Sequence, residues 1–158
     1  MPTKPREAFI DLFYEDVVIG DEIVTDIHHV TMDDVLTFGR VTRDQHPLHT
    51  DEEYCRRTTF GRPIAHGLFG LALIEGLKSE LKLYENTSVA SLGWDKVRFR
   101  APIFPGDSLR VRVVFDSKRE SRNGSGIVIE KTELINQDDL VVIGAEHAAM
   151  VRKRNAAS

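Results

Sequence analysis

The segment from His66 to Leu83 constrains this chain most. Leu68, Phe69, Leu71, Ala72, Leu73, Ile74 and Leu77 fall on every side of its first turns, and polarity returns only at Lys78. A helix that is apolar all round must be surrounded by protein. The segment is therefore expected to be a central helix wrapped by the rest of the chain.

The sequence that follows reads as strands. Trp94 to Arg100 alternates, with Val97 and Phe99 opposite Lys96, Arg98 and Arg100. Phe104-Pro105-Gly106-Asp107 makes a strong turn, after which Leu109, Val111, Val113 and Phe115 alternate with Arg110, Arg112 and Asp116. Asn123-Gly124 signals a hairpin into Ile127 to Leu134, and Asn136 to Asp139 turns again into Leu140 to Val151. Strands joined by short turns imply an antiparallel sheet, with the helices gathered toward the N-terminal half, so the fold class is α+β.

Ahead of the central helix, Ile23 to Val30 is a possible strand. Thr31 and Asp34 have the spacing of a capping box, opening a helix that carries Val35, Leu36, Phe38 and Val41. Pro47 cannot continue that helix and biases His46 toward an extended backbone. Asp51 to Arg57 makes one or two turns of an exposed helix. Residues 1–13 and 152–158 are small, polar or charged and read as loose ends, leaving 14–151 as one domain.

At 158 residues the chain is long enough for one domain with a real core. Its 21 basic and 25 acidic side chains leave a formal charge of −4, and nothing in that balance points to nucleic acid. The single cysteine, Cys55, excludes an intrachain disulfide framework and fits a reducing cytoplasm. The first residues lack the apolar run of a signal peptide, and no stretch is long enough to span a bilayer. The expectation is a soluble cytoplasmic protein with no membrane partner.

Chemistry concentrates in Thr42-Arg43-Asp44-Gln45-His46-Pro47-Leu48-His49. Asp44 and His49 put a carboxylate and an imidazole on either side of a proline-fixed turn, the makings of a general acid/base pair. Pro63-Ile64-Ala65-His66-Gly67 then delivers backbone N–H groups to the start of the central helix, where developing negative charge is favoured. Together they suggest chemistry at a carbonyl compound. The plainer alternative makes Asp44 and His49 turn-stabilising polar residues and His66 a structural loop histidine. Asp44, His46, His49 and His66 also invite a metal reading, but the spacing is nonspecific and the proline interrupts the helical geometry such ligands use, so no metal is expected. Lys96, Arg98 and Arg100 form either a solvated strand face or a contact for phosphates.

These motifs resemble the MaoC-like hydratase/dehydratase family, which includes the R-specific enoyl-CoA hydratases. The family's signature runs Asp, any residue, Asn, Pro, an aliphatic residue and His, followed by a short acidic helix. Asp44-Gln45-His46-Pro47-Leu48-His49-Thr50-Asp51 matches it except at His46, which stands where the family usually has Asn. The family's second motif is similar to the run from Phe60 to Gly67. Tyr14 to Asp21 and Val97 to Asp107 resemble its opening segment and its later strand and turn. A second departure is Glu75, where the hydratases often have Ser.

The resemblance implies a single hot-dog fold, a curved antiparallel sheet around a long central helix, paired edge to edge in a homodimer or a higher oligomer of dimers. It implies a cofactor-independent enoyl-CoA hydratase, or the reverse 3-hydroxyacyl-CoA dehydratase, acting on an acyl-CoA thioester. Asp44 and His49 would hold one water against the double bond, His49 as base and Asp44 as proton donor, with the reverse order open because such pairs titrate together. The Gly67 N–H would face the enolate-like thioester oxygen, and His66, His46 and Arg98 would line the substrate side. Within the same fold, an acyl-CoA thioesterase or a non-enzymatic acyl-CoA or acyl-carrier binding protein are the alternatives.

Overall fold

In a computed structural model, which describes residues 4–155, two 3-10 turns (Arg6–Phe9 and Tyr14–Asp16), four α-helices and six strands make up the fold. The strands are β1 (Glu22–Val24), β2 (His28–His29), β3 (Ser88–Phe99), β4 (Ser108–Glu120), β5 (Gly126–Ile135) and β6 (Val141–Val151). The helices α1 (Met32–Thr42), α2 (Pro47–Thr50), α3 (Glu52–Arg56) and α4 (Gly67–Glu80) all lie between β2 and β3. Every pairing is antiparallel, in the order β1-β4-β5-β6-β3, with β2 also on β4. The α+β segregation expected from the sequence is present. β3 starts earlier than its alternation suggested and closes the sheet with a free edge.

One face of the sheet is the core wall. Leu109, Val111, Val113 and Phe115 of β4 are buried, as their alternation requires, and Val128, Leu134, Val142 and Ile143 continue the wall across β5 and β6. Onto it α4 presses Ile74 and Leu77. The approach is so close at Gly70 that a Cβ there would sit 2.7 Å from Ile103 Cδ1 and nearer still to Ile143. Glycine is what lets this helix reach the sheet.

The sheet covers only one side of α4, which corrects the expectation of a fully enclosed helix. Leu68 is 63% exposed, and Ala72, Gly76 and Ser79 are exposed along the same stripe. The sheet is open, ending at β1 on one side and β3 on the other, so it leaves the far side of the helix uncovered. Lys78, where the helix was expected to turn toward solvent, is buried instead, its ammonium 2.5 Å from the fully buried Glu130 of β5.

The described parts of both chain ends also pack, against the expectation of loose termini. Phe9 and Leu12 are buried in the core, and the Asp11 and Leu12 N–H groups donate to the carbonyls of Lys82 and Leu83. Arg152 N–H donates to Thr87 O, and Arg154 pairs with Asp16. Two apolar side chains in a short polar segment suffice to cap the core end. Residues 1–3 and 156–158 of those expected loose ends lie outside the described residues.

α1 begins as its sequence requires. Asp34 N–H donates to Thr31 Oγ1 at 3.1 Å, and Thr31 N–H donates to Asp34 Oδ2 at 3.0 Å. No helix of the described residues is long and apolar enough to cross a membrane. Two glycines of α4 give a paired prediction. Gly70→Ala is expected to lower the unfolding free energy by about 1–3 kcal/mol through overpacking. Gly76→Ala, whose Cβ would meet nothing within 4 Å, is expected to leave stability unchanged or raise it by up to about 1 kcal/mol. Urea melts of the two variants decide it; equal effects would contradict the close seat at Gly70.

Candidate active site

The site is assembled where α1 stops. Arg43 ends that helix in the left-handed region (φ 70°), turning the chain so that Asp44 follows on the surface. His46 then caps α2, its Nδ1 accepting the Leu48 N–H at 3.1 Å, and Pro47 occupies the first turn. Pro47 was expected only to stop α1; with its fixed φ and no N–H it also starts the next turn. That turn carries His49.

The loop before α4 locks both imidazoles. Ile64 N–H donates to Leu48 O at 3.2 Å, and Ala65 N–H donates to Ile103 O at 2.8 Å, fixing the loop between the site and the sheet. His49 Nδ1 is 2.7 Å from Ile64 O and His66 Nε2 is 2.9 Å from Asp44 O. A carbonyl only accepts, so each of those nitrogens carries the proton. His49 Nε2 is therefore left with its lone pair, the form a general base needs. Burial depresses the His49 pKa below its ordinary value, and the neighbouring His66 works in the same direction.

Asp44, His49, Ile64, Gly67, Phe99 and Ile103 line a cavity of about 450 Å³ whose wall is mostly apolar. Gly67 opens α4, and the first N–H groups of a helix have no partner within it. A Cβ at Gly67 would lie 2.8 Å from the Phe99 ring, so only glycine brings the helix start this close to the cavity. The arrangement offers a base, a carboxyl group and N–H donors around one apolar slot.

Asp44, His49 and His66 each offer a ligand atom within 4.8 Å of the others, which raises the question of a metal. The His49 and His66 rings, however, stack with centroids 3.7 Å apart and planes only 25° from parallel. An imidazole lone pair lies in its ring plane. Two stacked planes so nearly parallel offer no position near both nitrogens that lies in both ring planes, so the lone pairs of the trio as arranged do not converge on one ion.

Of the residues singled out in the sequence, Asp44, His49, His66 and Gly67 converge on this cavity. His46 and Arg98 are placed elsewhere. His46 serves as the cap of α2, and Arg98 is exposed and donates to the carbonyl of Val97. A register shift between Asp95 and Arg98, with Lys96 at φ 52°, breaks the alternation that was read there. Arg100 is the basic residue that lines the cavity instead. Glu75, expected near the acid/base pair, sits at the other end of α4 beside Lys78 and His147. The apolar wall of Ile64, Ile103 and Ile143 went unrecognised because such residues look like ordinary core.

Comparison with known proteins follows the same lines. Residues 15–137 match the model of the MaoC like domain. The chain is similar to a 3-hydroxybutyryl-CoA dehydratase of Methylorubrum extorquens, 33% identical over 104 residues, which are 65% of this chain and 62% of that protein. It is also similar to a mesaconyl-CoA hydratase of Cereibacter sphaeroides, 29% identical over 148 residues, covering 92% of this chain and 43% of that one. The matches thus span less than two thirds of these relatives' length. Among solved structures, a monoamine oxidase regulatory protein from Archaeoglobus fulgidus superposes with a TM-score of 0.87 at 34% identity, covering 92% and 97% of the two chains. A Mycobacterium tuberculosis protein described as having a double hotdog fold superposes with a TM-score of 0.80 at 19% identity, covering 94% of this chain and 46% of that one. The fold is accordingly a hot dog.

The locked imidazole has a direct signature. Burial disfavours the imidazolium, so His49 should hold its neutral form to lower pH than a free histidine. Its NMR titration midpoint is expected below 6.5, the unperturbed value. A midpoint at or above that value would contradict the half-buried, neutral imidazole.

Proposed function

The chain belongs to the MaoC-like dehydratase family, and from that premise we propose that it is an enoyl-CoA hydratase, reversible as a 3-hydroxyacyl-CoA dehydratase. The observation that carries this reading is the tautomer of His49. Its Nδ1–H is spent on Ile64 O, so its free Nε2 lone pair shares the cavity with Asp44.

In this reading one water sits between His49 Nε2 and the Asp44 carboxyl group. His49 takes a proton as the water oxygen attacks the β-carbon of the enoyl thioester. Electron density moves through the former double bond onto the thioester oxygen, which the Gly67 N–H stabilises at the start of α4. The proton passes from His49 to the Asp44 carboxylate, and Asp44 delivers it to the α-carbon, which leaves the pair as it began. General acid/base help of this kind is worth about 10²–10⁴-fold. No step calls on a metal or an organic cofactor.

The partner is an acyl-CoA thioester, and the working unit is a pair of copies joined at β3. That strand is long, lies at the sheet edge and exposes Val89, Leu92 and Phe99. An uncovered edge of this kind is a ready template for another strand. The buried thiol of Cys55 accords with a reducing compartment, and we assign the protein to the cytoplasm.

Crotonyl-CoA tests the reaction, by loss of the enoyl absorbance measured beside free-thiol release. Hydration without thiol is expected. Thiol without hydration would make the protein a thioesterase, and silence in both with tight binding would make it a carrier. Asp44→Asn is expected to cut kcat by at least about 10²-fold with an unchanged circular-dichroism spectrum; an active variant would remove Asp44 from the mechanism.

A further inference from the structure

The short turn α2 carries His49, and His46 holds that turn by two bonds. Its carbonyl accepts the His49 N–H at 2.9 Å, and its Nδ1 accepts the Leu48 N–H at 3.1 Å. The Leu48 N–H belongs to a first helical turn, which offers it no partner of its own. The Leu48 peptide is also a joint of the site. Its carbonyl accepts the Ile64 N–H and the Cys55 thiol, each at 3.2 Å, and Ile64 O takes the Nδ1 proton of His49. One peptide therefore connects the His46 ring to the loop that orients His49.

Chemistry fixes the direction of the ring bond. A backbone N–H only donates, so Nδ1 of His46 carries the lone pair and the neutral ring keeps its proton on Nε2. A second proton can go only to Nδ1. The imidazolium would then set N–H against N–H, and the cap would open. The His46 side chain is exposed, so protons reach it from solvent. Asparagine also caps helices well, through an amide oxygen that takes up no proton in this range. A histidine cap, by contrast, holds only while its ring is neutral.

The titratable groups around the ring come from each neighbouring element. From the link after α1, Asp44 Oδ1 accepts the His46 N–H at 3.4 Å. From α3, Tyr54 meets the ring edge-on with centroids 5.8 Å apart. Within α2, the His49 ring lies 6.3 Å away, and His66 of the α4 loop stacks on it. A charge on His46 opposes a charge on His49, so the two imidazoles take up acid as separate events.

We infer that His46 is a positioning residue with an acid-sensitive hold: its neutral ring keeps the α2 turn, and with it His49, in place, and a proton on Nδ1 releases both. The effect on turnover rests on the hydratase reading; the link from the ring to the Leu48 peptide does not.

His46→Asn keeps an acceptor for the Leu48 N–H at every pH. Its plateau kcat for crotonyl-CoA is expected within about twofold of wild type, and the acid limb of its profile should fall with one proton fewer. His46→Ala also loses that proton but has no acceptor, so its plateau kcat should drop about fivefold with KM nearly unchanged. An acid limb as steep in His46→Asn as in wild type overturns the acid-sensitive hold. Equal plateaus in the Ala and Asn variants overturn the positioning role. The bond is also read without substrate, by NMR. In the wild-type protein the Leu48 amide shift is expected to titrate with the same midpoint as the His46 ring carbons, and in His46→Asn that transition should vanish. A Leu48 amide indifferent to His46 overturns the proposal, whatever the protein hydrates. If the wild-type protein hydrates nothing while the amide follows the ring, the hydratase reading alone fails and the acid-sensitive cap stands.

Discussion

The seat of α4 on the sheet at Gly70 is the contact on which the rest depends. With no Cβ in the way, the helix drops onto Ile103 and Ile143, and that depth sets where its first turn emerges. The loop ahead of the helix is tied at the same level by Ala65 to Ile103. From there the hold passes outward: His66 at the helix cap grips the Asp44 carbonyl, and Ile64 orients His49. Asp44 is exposed and has few contacts of its own, so its place is set through the backbone of a loop that the core positions. A close-packed interior resists displacement, which is why the proposed acid/base pair can keep a fixed geometry at the surface.

The two ends of α4 solve opposite electrostatic problems. At its start the helix presents unpaired N–H groups to an apolar slot, an arrangement suited to charge that appears only during reaction. At its other end it buries a full positive charge, and Glu130 answers it directly. Such a pair adds little stability compared with an apolar pair of the same size, but removing one partner strands the other. Its retention in the middle of a packed sheet points to a positional role, since both partners lie 3.1 Å or less from one another and from His147 Nδ1 and hold that ring in place.

Much of this was legible in the sequence because it rests on local rules. The cap formed by Thr31 and Asp34, the alternation in β4 and the turn at Phe104 to Asp107 each follow from a few neighbouring residues. Asp44, His49, His66 and Gly67 were found together because two motifs flank them. The errors share one cause, which is that burial depends on the other side of the contact. Lys78 looks like the start of a solvent-facing surface until Glu130 meets it from β5. Leu68 and Ala72 look like core until the sheet proves to cover one side only. Arg98 and Arg100 look equivalent until the bulge after Asp95 separates them. Phe9 and Leu12 are too few to form a pattern, yet they close one end of the core.

The central claim is that a neutral His49 and Asp44 direct one water to the β-carbon and not to the thioester carbonyl. The destination of the oxygen decides this without reference to rate. Crotonyl-CoA is incubated with the protein in water enriched in oxygen-18, and the products are resolved by mass spectrometry. The account predicts one heavy oxygen in the hydroxyl group of an intact 3-hydroxybutyryl-CoA. Label in a free carboxylate, with the thioester cleaved, would contradict it.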